Sequence, residues 1–84
     1  MKRTVICEIS NGHTLHQQEG LIEFMNLQTD LDGVNFTGVR TETNQMVVLA
    51  DGAQDEEFKK RAFNKLKLTS ATLYLVENPS KYEN

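Results

Sequence analysis

The order of apolar segments along the chain constrains its fold more than any other feature of the sequence. Apolar residues that recur every second position indicate a strand, and a 3.6-residue period indicates a helix. The segments follow one another in β-α-β-β-α-β order: Thr4–Ser10, Leu15–Gln28, Val34–Thr41, Met46–Ala50, Asp55–Leu66 and Thr72–Glu77. This order predicts an α+β protein.

A chain of 84 residues is the length of one domain. We predict a single compact domain over residues 1–78 with a ferredoxin-like arrangement. Two helices cover one face of a four-stranded antiparallel sheet, and the other face stays exposed or pairs with another surface. Asn78-Pro79 ends the last strand, so residues 79–84 are predicted to be a flexible C-terminal tail.

Two strands show contrasting patterns of burial. In the first, Val5, Cys7 and Ile9 alternate with polar or branched residues and are expected to share one face. In contrast, Met46–Ala50 is apolar at every position. A strand with both faces covered has that composition, so Met46–Ala50 is predicted to be central in the sheet.

The first crossover has two interpretations. Thr14 and Gln17 have the spacing of a capping box, which favours a helix beginning at Leu15. Gly20 interrupts that helix and costs about 1 kcal/mol relative to alanine. Alternatively, Asn11-Gly12 is a hairpin turn. The fold is then a small β-rich roll or barrel with one helix near residues 55–66.

The second helix is strongly amphipathic. Asp51 or Asp55 can cap its N-terminus. Acidic residues occupy its first turn and basic residues crowd toward its end, an order that complements the helix dipole. Its apolar stripe consists of Phe58, Ala62, Phe63 and Leu66.

Charge and cysteine content narrow the classes of function. A net charge of −3 does not favour broad attraction to nucleic acid. The only cysteine is Cys7, which excludes an internal disulfide. The apolar run Val5–Cys7 is too short for a signal-peptide core, and no segment approaches the length of a membrane span. We expect a cytoplasmic protein without membrane contacts.

No group of residues has the spacing of a catalytic, cofactor or metal site. His13 and His16 lack the second ligand pair that zinc sites show. The thiol of Cys7 lies among apolar residues and is expected to be buried and inert. Asp30-Leu31-Asp32-Gly33 lacks the remaining positions of a calcium loop and is expected to be a solvated turn. We therefore predict no catalytic residue, no cofactor and no metal ligand.

The only clear charge cluster lies on the second helix. It could contact acidic groups of a partner protein or phosphates. Otherwise it is a solvated helix face with Glu56/Lys60 and Glu57/Arg61 pairs. The five positive residues are Lys59, Lys60, Arg61, Lys65 and Lys67.

These observations favour a small non-enzymatic binding protein that regulates or inhibits a partner protein, as bacterial or phage accessory proteins do. A thin core also predicts a homodimer that covers the remaining apolar surface. The alternative is a nucleic-acid-binding protein that uses the basic 59–67 helix face as a dimer. The sheet lacks the aromatic run of RNA-recognition domains. We expect no enzymatic activity.

Overall fold

A four-stranded antiparallel sheet with two helices on one face forms the protein, as described by a computed structural model for residues 2–83. Met1 and Asn84, which belong to the predicted domain and tail, lie outside the described residues. The order of strands across the sheet is β2-β3-β1-β4. The elements are β1 (Arg3–Ile9), α1 (Leu15–Asn26), β2 (Phe36–Arg40), β3 (Met46–Asp51), α2 (Glu56–Lys67) and β4 (Leu73–Tyr74), with 3-10 turns at Thr29–Leu31 and Pro79–Lys81.

The predicted ferredoxin-like β-α-β-β-α-β order and antiparallel sheet are confirmed, and the β-rich roll or barrel with one helix is wrong. Asn11-Gly12 forms a turn, after which the chain enters α1 instead of returning as a strand. The reason is the capping box. The Thr14 hydroxyl accepts from the Gln17 N–H at 3.2 Å, and the Gln17 side chain accepts from the Thr14 N–H at 2.8 Å.

Strand β3 is central, as predicted, and lies between β2 and β1. Every residue from Met46 to Ala50 is buried. Met46, Val48 and Ala50 pack in the core beneath the helices, whereas Val47 and Leu49 belong to a second cluster on the other face. The second face of the sheet is therefore also buried, although the helices do not cover it.

A β-bulge in β1 makes the predicted alternation of Val5, Cys7 and Ile9 wrong. Val5 lies opposite Leu49 and Cys7 opposite Val48, so the register shifts by one residue between them. Since an extra residue changes the face to which the following side chains point, Val5 packs with Val47 and Leu49, while Cys7 and Ile9 pack beneath the helices.

Helix α2 packs on the sheet through the predicted stripe. Phe58, Ala62 and Leu66 are buried, and Phe63 is half-buried. The Asp55 carboxylate caps the helix by accepting from the Phe58 N–H at 2.8 Å. The Phe58 ring also stacks on Phe36 with 6.1 Å between ring centroids, which joins α2 to the edge strand β2.

The C-terminal segment accounts for the closure of the second face. Strand β4 is shorter than the predicted Thr72–Glu77, and the chain after Tyr74 turns across the sheet. Val76 and Tyr82 pack on the cluster of Val5, Val47 and Leu49. We predicted residues 79–84 as a flexible tail, and the structure places residues 79–83 in a turn against the sheet.

Candidate functional site

The predicted basic residues of α2 point in different directions, although Lys60 and Lys67, seven residues apart, share one side of the helix. Arg61 and Lys65 point toward the 3-10 turn Thr29–Leu31, where they form ion pairs. Lys59 and Lys60 lie on the side nearest β1. Lys67 is exposed near the end of the helix. The helix therefore does not bring the five charges together into one patch.

The acidic loop before β2 neutralises one side of α2. The Lys65 ammonium lies 2.9 Å from an Asp30 carboxylate oxygen. Arg61 lies 3.7 Å from an Asp32 carboxylate oxygen and stacks over the Phe58 ring at 5.7 Å. The hydrogen bond from Lys65 holds the pKa of Asp30 below its ordinary value of 3.8. The loop that the sequence indicated as a solvated turn thus binds α2 through charge pairs.

The ion pairs within α2 differ from those predicted. Glu56 pairs with Lys59, at 3.0 Å and i, i+3 spacing, and Arg61 pairs with Asp32 of the loop. No Glu56/Lys60 or Glu57/Arg61 pair is present in the described part of the chain. Because Arg61 lies beside the Thr29–Leu31 turn, the tertiary contact replaces the local one. Lys60 is exposed and forms no ion pair with residues 2–83.

An apolar groove lies between α2 and the chain that follows β4. It encloses about 370 Å³, and its apolar walls come from Ile6, Phe63 and Leu75. Two lysines, Lys59 and Lys60, complete its lining together with Glu56 and Asn64. The Leu75 side chain is 79% exposed, so a large apolar surface meets water beside two ammonium groups. We call Ile6, Phe63, Leu75, Lys59 and Lys60 the α2 groove.

Sequence reasoning identified the two lysines of the α2 groove and missed its apolar walls. Leu75 was assigned to the last strand, and its exposure depends on β4 ending at Tyr74. Ile6 reaches the groove because of the bulge in β1. A strand pattern gives no sign of a bulge, and the polar run after Val76 predicts an end of β4 later than the observed one at Tyr74.

A larger groove of about 560 Å³ lies on the other face of the sheet. Its lining includes Glu8, Tyr74, Lys81 and Tyr82 and is mainly polar. The chain's own C-terminal segment forms one wall, and the Lys81 ammonium lies 5.6 Å from the Tyr82 ring centroid. The α2 groove therefore offers the more apolar surface for another molecule.

The thiol of Cys7 is buried, as predicted. Its side chain is fully inaccessible beneath the helices. Burial, with a smaller contribution from the charge of Glu8, raises the pKa of the Cys7 thiol to about 12. A thiol with that pKa is neutral at physiological pH and is a poor nucleophile.

His13 and His16 flank the start of α1. Within residues 2–83, neither they nor other His, Cys, Asp or Glu side chains form a group of three or more that could hold a metal ion. His16 is exposed and His13 is half-buried.

Comparisons of the chain with protein-family models, with curated proteins and with solved structures found no match. Neither α1 nor α2 is long and apolar enough to cross a bilayer, and the same holds for every helix within residues 2–83.

Proposed function

We propose that this chain is a small non-enzymatic protein that regulates or inhibits a partner protein by binding it through the α2 groove. The observation that carries the proposal is the exposure of Leu75 over an apolar groove that is also lined by Lys60 and by the paired side chains of Glu56 and Lys59. Burying a leucine side chain contributes about 1.5–3 kcal/mol. One such contact therefore supplies a sizeable fraction of the binding free energy that corresponds to a micromolar dissociation constant.

The groove favours one kind of partner segment. Its apolar floor accepts an aliphatic or aromatic side chain, and the ammonium of Lys60 attracts a neighbouring carboxylate. Lys59 is already paired with Glu56, so a partner carboxylate beside it would share that ammonium. We infer an acidic segment with one protruding apolar side chain as the bound element.

We propose a cytoplasmic protein that works as a homodimer, so that each assembly presents two α2 grooves. The thin core of a chain of 84 residues supports self-association. Regulation then consists of covering a functional surface of the partner, as an accessory protein does.

Capture of proteins from a lysate of the source cells tests the proposal. The test compares variants at two exposed leucines. Leu75 and Leu68 are each 79% exposed, and only Leu75 lines the α2 groove. We expect wild-type protein and the Leu68→Ser variant to retain the same stoichiometric protein, and Leu75→Ser to lose it. Capture that is equal for the two variants, or no stoichiometric protein at all, would contradict the proposal.

Charge reversal separates protein binding from the nucleic-acid alternative. Lys60→Glu should weaken capture of the partner, whereas Lys67→Glu should change it little because Lys67 lies outside the α2 groove. A nucleic-acid binder would lose affinity with either change and would shift single-stranded RNA or DNA on a gel at low salt. The ion pairs of Lys59, Arg61 and Lys65 with the chain's own carboxylates weigh against that alternative.

A further inference from the structure

We propose that the homodimer forms by antiparallel pairing of β2 with β2 of a second copy, in a register centred on Val39. The inference rests on the homodimer of the proposed function and adds its interface. Strand β2 is an edge of the sheet. Edge strands present unpaired backbone groups that readily pair with another chain.

The ladder with β3 determines which backbone groups of β2 are free. The Asp51 N–H donates to the Asn35 carbonyl, and the Thr41 N–H donates to the Gln45 carbonyl. Antiparallel ladders alternate, so Asn35, Thr37, Val39 and Thr41 direct their backbone groups toward β3. Phe36, Gly38 and Arg40 therefore direct theirs away from the sheet.

Asn26 of α1 occupies one of these outward positions. Its side-chain amide donates to the Phe36 carbonyl at 3.0 Å and accepts from the Phe36 N–H at 2.7 Å. An asparagine amide thus takes the place of a neighbouring strand at Phe36. Gly38 and Arg40, both exposed, have no backbone partner on this side within residues 2–83. An incoming strand can use Gly38 and Arg40 only.

These constraints select one symmetric register. Pairing Arg40 with Arg40 of the second copy would oppose like charges, which is destabilising. Pairing Gly38 with Gly38 would bring Arg40 opposite Phe36, whose backbone groups Asn26 already holds. Pairing Gly38 with Arg40 of the second copy avoids both problems, and each pair exchanges both backbone hydrogen bonds.

Side chains on the two faces fit this register. Val39, which is 36% exposed, lies directly opposite its own copy on the face that carries Val47. On the helix side, Arg40 of one copy crosses Gly38 of the other. Gly38 has no side chain and lines a groove of about 320 Å³ together with Leu15, Glu19 and Arg40 of its own copy. The Arg40 side chain that crosses from the second copy therefore reaches the Glu19 carboxylate at this groove, an opposite-charge pair formed twice by symmetry.

Charge exchange provides the test. The contact is short, so we expect a dimer with a dissociation constant in the micromolar range, measured by sedimentation between about 1 µM and 1 mM. Arg40→Glu and Glu19→Arg should each raise that constant at least about tenfold. The double variant, in which the charges are exchanged, should restore it to within about threefold of wild type. Lys67→Glu, a control with the same charge change as Arg40→Glu, should leave it unchanged.

Covalent trapping checks the register. Directly opposed residues in a non-hydrogen-bonded pair have Cα atoms about 4.5 Å apart, within the range that a disulfide spans. Val39→Cys should form a disulfide-linked dimer in oxidised glutathione, whereas Thr43→Cys, at an exposed turn, should link far more slowly. Cys7 is buried and does not compete.

Two results would overturn the interface. One is a dimer that is insensitive to Arg40→Glu and does not crosslink at Val39→Cys, which places the contact elsewhere. The other is a monomer at all concentrations, which removes the homodimer as well. Neither result affects capture of a partner through the α2 groove, because the Leu75→Ser and Leu68→Ser comparison measures that property separately.

Discussion

The carboxylate of Glu83 accepts a hydrogen bond from the backbone N–H of Val5 at 2.8 Å. The two residues are nearly the whole chain apart, so this bond ties the C-terminal segment to the first strand. Val5 precedes the bulge in β1, and β4 pairs only with Glu8 and Ile9 further along. The Glu83 carboxylate therefore supplies the acceptor that β4 does not provide at Val5.

Tyr82 is expected to stabilise the closed second face of the sheet. Its ring packs on the cluster of Val5, Val47 and Leu49. Because Tyr82 is half-buried, Tyr82→Ala should lower the free energy of unfolding by about 1–2 kcal/mol, less than the 3–5 kcal/mol of a fully buried aromatic residue. Tyr82→Phe, which retains the ring, should stay within about 0.5 kcal/mol. Urea denaturation gives both values, and equal loss in the two variants would contradict a packing role.

Substitution by alanine should change the free energy of unfolding in opposite directions at Gly20 and at Gly38. A Cβ atom added at Gly20 meets no atom within 4 Å, whereas one at Gly38 would lie 2.5 Å from the Met46 sulfur. Gly20→Ala should raise the unfolding free energy by about 0.5–1 kcal/mol, since alanine favours a helix interior. Gly38→Ala should lower it by about 1–3 kcal/mol through overpacking of the buried Met46. Thermal melting of the two variants beside wild type measures the difference, and a shift of the same sign for both would be inconsistent with the described packing.

The ion pair of Asp30 and Lys65 should make the free energy of unfolding depend on pH in the acid range. The pKa of Asp30 is lower in the folded protein than its ordinary value of 3.8, chiefly through the hydrogen bond from Lys65. A lowered folded pKa gives stability that is present above the ordinary value and is lost as the pH falls through the folded one. Lys65→Met should therefore flatten the loss of stability below pH 3.8, as seen in denaturation at several pH values. Lys67→Met serves as the control and should leave the loss of stability below pH 3.8 unchanged.

The Cys7 thiol should resist modification until the protein unfolds. Its side chain is inaccessible and its pKa is about 12, above the ordinary value of 9.0. Labelling with a thiol-specific disulfide reagent at pH 8 should be slow in buffer and fast in denaturant. The same raised pKa favours the folded state below pH 9, and that stability is lost as the pH rises toward the folded pKa. Rapid labelling of native protein would place Cys7 outside the core.

Local patterns sufficed to predict the order of elements. The helix α2 carried its own cap at Asp55 and its own apolar stripe, and β3 was apolar throughout, so neither depended on distant residues. The start of α1 is also determined by a local interaction, because Thr14 and Gln17 form the capping box within one turn. Such features are readable because their partners are close in sequence.

Contacts distant in sequence account for what was missed. The bulge between Val5 and Cys7 is selected by packing on two faces, and the short β4 by the return of residues 76–83 over Val47 and Leu49. The basic residues of α2 were predicted as one charge cluster, but the acidic loop that pairs with Arg61 and Lys65 is separated from them in sequence by the β2–β3 hairpin. The α2 groove needs both the bulge and the end of β4, so its walls could not be derived from periodicity.

The bulge in β1 places two successive residues, Ile6 and Cys7, on the helix side of the sheet, while Val5 before it and Glu8 after it face the other side. Val5 is anchored to the layer that the C-terminus closes, and Cys7 to the layer that the helices close. Residues 76–83 also reach α2, because Val76, Pro79 and Glu83 line a groove together with Glu56 and Lys59. A change in the C-terminal segment is therefore expected to alter the second face of the sheet and the start of α2 together.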